Sequence, residues 1–167
     1  MSVIDPETPL QRPLAGPPQE LLSSGSFLLK RLGFAIKEQA MAAFESTGLS
    51  PYHHAVLALL EEDPRETQAM IADALGYDRS HLVGLLDELE ERGLIERRRD
   101  PTDRRRHLVN LTPEGKRALA RLRSIVKQFE DDFFAPLDAA QRETLNALLL
   151  ELAAHHDVRY AAPTPAH

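Results

Sequence analysis

At Gly93 the hydrophobic period of this chain switches from helical to alternating, and that switch constrains the fold more than any other feature. Before it, Leu82, Leu85, Leu86 and Leu89 fall at i, i+3, i+4 and i+7. That spacing is one face of a helix, which Asp78 can cap and Gly93 ends. After it come two short, partly alternating segments, 94–97 and 107–111. Between them lies the polar run 98–106, with Asp100-Pro101 inside it. Strand, turn, strand predicts a β-hairpin with a long charged tip. Thr112-Pro113-Glu114 then restarts a helix, with Thr at the N-cap, Pro at the first helical position and an acid at the positive end of the dipole.

The rest of the chain is helical in pattern. From Glu20 to about Phe44, Leu28, Leu32, Ile36 and Ala40 recur at helical spacing, with Leu29, Ala35 and Phe44 widening the face, and Thr47-Gly48 ends it. Ser50-Pro51 starts a second helix carrying Val56, Leu57, Leu59 and Leu60, which Asp63-Pro64 stops. Thr67 caps a short helix carrying Met70, Ile71, Ala74 and Leu75, closed by Gly76. Beyond Thr112, Leu119, Leu122, Val126, Phe129 and Phe133 form a heptad-like stripe. Asp138 and Gln141 have capping-box spacing, and Leu145, Leu148, Leu149 and Leu152 complete a last helix. Five prolines in 1–18 and two in 161–167 predict flexible ends.

The helices 67–75 and 78–92, joined by Gly76-Tyr77, have the size and turn of a helix-turn-helix. In that motif the second helix enters the major groove by its N-terminal turn. Arg79, Ser80, His81, Val83 and Gly84 lie there, and Val83 suits contact with a thymine methyl. Thr67 and Gln68 support the motif from the first helix. The bland alternative is an α-hairpin that merely packs.

Charge first argues against a nucleic-acid partner, since 20 Lys+Arg against 26 Asp+Glu give −6. The charge is segregated, however. Residues 92–107 hold seven Arg against three acids, a local +4, so the other 151 residues carry −10. Arg97, Arg98, Arg99, Arg104, Arg105 and Arg106 suit phosphates and a narrow minor groove, and Asp103 can orient Arg105. The alternative is a solvated charged loop.

The run Leu85-Leu86-Asp87-Glu88-Leu89-Glu90-Glu91-Arg92-Gly93-Leu94-Ile95-Glu96-Arg97, then Asp100-Pro101-Thr102-Asp103-Arg104-Arg105, then Leu108-Val109-Asn110-Leu111-Thr112-Pro113-Glu114-Gly115, resembles the signature of MarR-type winged helix-turn-helix regulators. The resemblance spans about Glu20 to His155. It implies a mainly α fold with a small β-hairpin wing, a six-helix subunit of a homodimer. It implies a palindromic double-stranded DNA operator, repression, and release by a small ligand such as an aromatic acid or phenol. It places Arg79, Ser80, His81 and Gly84 on the base-reading face, and Asp103 and Arg105 at the wing tip. Position 84 is often basic in this family, and Gly84 departs from that. The implied organisation is a Pro-rich arm over 1–18, a dimerisation and pocket helix over 19–48, a DNA-binding lobe over 49–112, dimerisation helices over 113–160 and a tail over 161–167. The family pocket implies Lys30, Arg31, Tyr52, His53 and His54 as polar candidates for the effector.

Other classes are less well supported. Zero Cys rules out disulfides, thiol catalysis, a thiol redox switch and Cys-ligated zinc. No apolar run approaches the roughly 18 residues of a membrane span, and a cytoplasmic protein with no membrane partner is expected. His53 and His54 are adjacent, so on a helix they point about 100° apart and do not readily share an ion. His155-His156 suits a helix C-terminus by dipole. No metal and no cofactor are expected. No nucleophile–base pair or phosphate loop suggests an enzyme. The alternative function is a winged-helix protein–protein module that binds no DNA.

Overall fold

The structure, a computed structural model, describes residues 16–62, 66–101, 103 and 107–161. The helices are α1 (Gln19–Leu22), α2 (Gly25–Phe44), α3 (Pro51–Glu62), α4 (Gln68–Leu75), α5 (Arg79–Glu91), α6 (Pro113–Phe133) and α7 (Ala139–His156). The strands are β1 (Glu66–Thr67), β2 (Ile95–Arg99) and β3 (His107–Leu111), and short 3-10 turns cover Glu45–Thr47 and Val158–Tyr160. The chain divides between Lys37 and Glu38 into two compact units.

In the first unit, the single helix expected from Glu20 onward is interrupted at Ser23-Ser24. Ser23 Oγ donates back to the Gln19 carbonyl at 3.0 Å, and Ser24 Oγ accepts from Phe27 N–H at 3.3 Å. Serine hydroxyls compete for backbone groups, so one helix ends and the next is capped within two residues. Leu28, Leu29, Leu32 and Phe34 are exposed along α2.

In the second unit, every predicted cap is present. Thr67 Oγ1 accepts from Met70 N–H, Asp78 from Ser80 and His81 N–H, and Thr112 from Gly115 N–H. Asp138 and Gln141 make the full reciprocal box. Leu82, Leu85, Leu86 and Leu89 are all buried, against Phe44, Val56, Leu57, Leu60 and Ile71. Burying these side chains contributes roughly 2 kcal/mol each, which is why this lobe sets the fold. The short helix differs from expectation. Met70 is 52% exposed and Ala74 is exposed, while Ile71 and Ala72 face the core.

The hairpin gains a third strand. β1 pairs with β3 at Glu66↔Val109 and Thr67↔Leu108, giving the antiparallel order β1-β3-β2. β2 and β3 run in register from Ile95↔Leu111 to Arg99↔His107. The start of α6 is locked to this sheet. Thr112 Oγ1 donates to the Gly93 carbonyl at 2.7 Å, and Thr112 N–H donates to the Leu94 carbonyl at 3.1 Å. A Cβ at Gly115 would lie 2.0 Å from the Leu94 carbonyl oxygen, so only glycine fits there. On α6, Ala118, Leu119 and Leu122 are buried, and Val126, Phe129 and Phe133 are half-buried. α7 buries no residue, and Leu148, Leu149, Leu150 and Leu152 are exposed.

Candidate nucleic-acid interface

Asp78 organises the first turn of α5. Its Oδ1 accepts from Ser80 N–H at 2.9 Å, His81 N–H at 3.3 Å and the Ser80 hydroxyl. The Ser80 hydroxyl and then the two backbone N–H groups hold the Asp78 carboxyl below the usual carboxylate range. Ser80 therefore spends its hydroxyl proton on Asp78 and offers only lone pairs outward. Such a group accepts from a base amino group; it does not donate to a phosphate.

Arg79 is exposed and makes no ion pair among the described residues. It lines a 240 Å³ groove with Gln68, Ala69, Leu82 and Val83, where the first turns of α4 and α5 meet. Thr67 sits at the head of α4, its hydroxyl engaged as the cap. Val83 is 41% exposed, and nothing lies within 4 Å of a Cβ built on Gly84. The structure thus brings Arg79 and Val83 into one groove with Gln68, and leaves open space at Gly84.

His81 is also exposed, yet its ring is steered. It lies edge-on to Tyr52 of α3 at 5.2 Å and to Tyr77 of the turn at 5.9 Å. Tyr52 and Tyr77 are themselves 5.6 Å apart. This three-ring cluster joins α3, the turn and α5, and aromatic pairs of this geometry favour edge contact. No sequence periodicity signals it, because the three rings come from three elements.

The wing arginines divide by role. Arg97 turns inward onto α5: its Nε donates to Glu90 Oε2 at 2.8 Å, its backbone N–H to Glu90 Oε1 at 3.1 Å, and its Nη2 also to Asp87. Its side chain is only 21% exposed. Arg97 holds the Glu90 carboxyl below its ordinary range. The inward pairing differs from the outward, phosphate-facing arginine expected at this position. The physical reason is its register: Arg97 pairs with the buried Val109, on the face of β2 toward α5. Arg98 is exposed and paired with Glu96, and Arg99 is exposed. Asp103 is half-buried and engaged, while Arg104, Arg105 and Arg106 lie outside the described residues.

Of the effector candidates, Lys30 and Arg31 are exposed on α2, in the first unit. Tyr52 belongs to the ring cluster. His53 is 4% exposed and packs into the lobe: its Nδ1 accepts from Ser50 N–H at 3.0 Å, and its Nε2 lies 3.2 Å from Glu88 Oε2, outside hydrogen-bond alignment. Burial pushes the His53 imidazole below its ordinary value, against the opposing pull of Glu88. His54 is half-buried, edge-on to Phe44 at 6.2 Å, and likewise pushed down by burial and then by Arg123. A groove of 440 Å³ that the sequence did not signal opens between α2 and α6, lined by Gln39, Ala42, Ala43, Ile125, Gln128, Phe129 and Asp132. Among the described residues no cluster of three or more His, Cys, Asp or Glu suits a metal ion, and no helix is long and apolar enough to cross a membrane.

A helix-turn-helix with a capped second helix, flanked by an antiparallel sheet whose hairpin carries the arginines, is the winged helix-turn-helix class of DNA-binding proteins. The MarR family model matches residues 47–106. A Thauera aromatica protein assigned to transcriptional regulation of the hcr operon is 37% identical over 144 residues, covering 81% of this chain and 84% of its own. The transcriptional repressor CouR bound to a 23-mer DNA duplex is similar at 35% identity and TM-score 0.75, over 81% of this chain and 96% of that one. CouR from Rhodococcus jostii RHA1 bound to p-coumaroyl-CoA is 32% identical with TM-score 0.70, over 90% of this chain and all of that one. The chain belongs to the MarR family and is a DNA-binding transcriptional regulator.

Proposed function

We propose that the protein is a homodimeric repressor that binds a palindromic operator and is released by a small aromatic acid, phenol or aryl thioester. One observation carries the DNA reading. The buried face of α5 is complete, Arg97 engages Asp87 and Glu90 in its C-terminal half, and its N-terminal turn offers Arg79 without an ion pair among the described residues. In this reading two copies of α5 enter successive major grooves, roughly 34 Å apart. Arg79, the Ser80 lone pairs, His81, Val83 and the space at Gly84 face the bases. Thr67 and Gln68 set the approach, and Arg98, Arg99 and Arg104–106, with Asp103 orienting Arg105, flank the site on the minor groove.

The exposed leucines of α2 and α7 support a second copy as their cover, so 19–48 and 113–160 are proposed as the dimerisation parts and 49–112 as the DNA-binding lobe. The groove between α2 and α6, with Phe129 in its wall, supports a flat aromatic ligand. Its polar lining is Gln39, Gln128 and Asp132; Lys30, Arg31, Tyr52, His53 and His54, the effector candidates implied by the family, are not among its lining residues. The relative bound to p-coumaroyl-CoA supports the same ligand class. A ligand shifts the dimer between DNA-competent and incompetent states only by its differential affinity for the two.

The test is fluorescence anisotropy on an inverted-repeat duplex selected from a random library by the full chain. Arg79→Ala is expected to weaken binding and relax base preference at one position, at a cost of about 1–3 kcal/mol. Equal weakening on every sequence would refute base reading, and no binding by the unsubstituted chain at low salt would favour a protein–protein module.

A further inference from the structure

The chain beyond α7 folds back onto the helix-turn-helix. Asp157 ends α7, its N–H donating to the Ala153 carbonyl at 2.8 Å, and its carboxylate caps the following 3-10 turn. That carboxylate also fixes a guanidinium. Arg159 Nε lies 2.9 Å from both Asp157 oxygens, and Nη2 makes a further contact to Oδ2. The fork so held aims Nη1 at the Asp73 carbonyl, 2.8 Å away and 86 residues distant in sequence.

Asp73 lies in the last turn of α4, where carbonyls lack intrahelical donors and the dipole favours a cation. Gly76, left-handed at φ 67°, closes that helix. A Cβ at position 76 would stand 2.7 Å from Arg159 Nη1, so the guanidinium occupies the space a side chain would take. Tyr160, next in the chain, is near enough to Tyr77 to help Tyr52 and burial push the Tyr77 phenol up. Tyr77 in turn sets the ring of His81. The end of α7 thus touches the helix-turn-helix at its turn. Among the described residues no other hydrogen bond or ion pair joins residues 139–161 to α4 or α5.

We propose that Arg159 is a positioning residue for DNA binding. The Asp157–Arg159 clasp ties the end of α7 to the α4–α5 turn, so that the setting of α5 follows that of α7. This rests on the reading that α5 enters the operator. The Arg159 fork, though on the surface, is engaged by Asp157 and the Asp73 carbonyl, and in this proposal it makes no phosphate contact. Its loss frees the turn, and two half-sites are then held with less defined separation.

The experiment uses the full-length chain and the inverted-repeat duplex it selects, with companions one base pair longer and shorter between half-sites. Arg159→Ala is expected to weaken the best spacing by roughly threefold to tenfold. It should also flatten the preference among spacings and leave the slope of log affinity on log salt unchanged. Arg159→Lys restores part of the preference, since a single point charge replaces the fork. Asp157→Asn, which keeps Arg159 but loosens its aim, gives the same flattening to a smaller degree and serves if Arg159→Ala does not fold. Unchanged affinity and spacing preference in a folded Arg159→Ala chain would overturn the clasp alone. So would a salt slope shallower by about one, which would make Arg159 a phosphate contact, or a uniform loss at every spacing that tracks a lower melting temperature. If the unsubstituted chain selects no duplex, the DNA reading falls and the clasp falls with it.

Discussion

Replacing Arg97 with alanine separates a brace from a DNA contact. Arg97 makes a two-point contact with Glu90, through Nε at 2.8 Å and Nη2 at 2.6 Å, plus a contact to Asp87. Fully buried charge-assisted bonds contribute about 1.5–3 kcal/mol, and exposed pairs about 0.2–1. Arg97 is 21% exposed, but Glu90 and Asp87 are 39% and 51% exposed, so water screens the acidic side. The expected loss in Arg97→Ala is therefore about 1–2 kcal/mol. For a chain of this size that lowers the melting temperature by roughly 3–6 °C. Chemical denaturation of Arg97→Ala, Glu90→Gln and the double variant should give a coupling of about 1 kcal/mol. On DNA, Arg97→Ala should weaken binding by loosening the wing, with the salt slope unchanged. Arg99→Ala, which removes an exposed cation, should lower that slope by about 0.9. A slope lowered equally by Arg97→Ala, with no coupling to Glu90, would refute the brace and restore Arg97 as a phosphate contact.

Three further outcomes are expected. Burial lowers the folded-state titration of His53 below its ordinary 6.5, with Glu88 opposing and Arg92 and His81 assisting. The unfolded chain then takes up the proton first, so stability falls as pH drops through about 6.5 toward the lowered value. The urea midpoint should be lower at about pH 5.5 than at about pH 8 by a margin that shrinks in His53→Gln; an unchanged margin would assign the dependence elsewhere. Gly115→Ala should destabilise by about 3 kcal/mol, because its Cβ meets the Leu94 carbonyl; a neutral result by calorimetry would contradict the close packing of α6 on the sheet. Gly84→Arg meets open space and should fold as well as the parent. It should raise affinity for random duplex more than for the selected operator, and steepen the salt slope by about 0.9 in anisotropy titrations.

Much of the lobe was legible because its signals are local. Thr67, Asp78, Thr112 and Asp138 cap by contacts two to three residues away, so spacing alone reveals them. The leucine face of α5 follows from a period that tertiary contacts only reinforce. β1 escaped because two residues carry no period, and its pairing partner lies more than forty residues on. The break at Ser23-Ser24 escaped because the apolar pattern runs through it. At the site, exposure of Arg79 and Val83 followed from the buried stripe, whereas the turning of Arg97 onto Glu90 depends on strand register against α5. Neither the Tyr52–Tyr77–His81 rings nor the Arg159 clasp has a spacing signature, since each joins segments far apart in the chain.

The central claim is that the N-terminal turn of α5 and the arginine wing together read one DNA site. Hydroxyl-radical footprinting of the full chain on its selected inverted repeat tests it most directly. The account predicts two protected patches about one helical turn apart with outer minor-groove protection on each side. At a protein concentration that just saturates the unsubstituted chain, Arg79→Ala should weaken the central patches, and Arg99→Ala should thin the outer ones. Protection spread evenly along the duplex, or unchanged by either substitution, would contradict it.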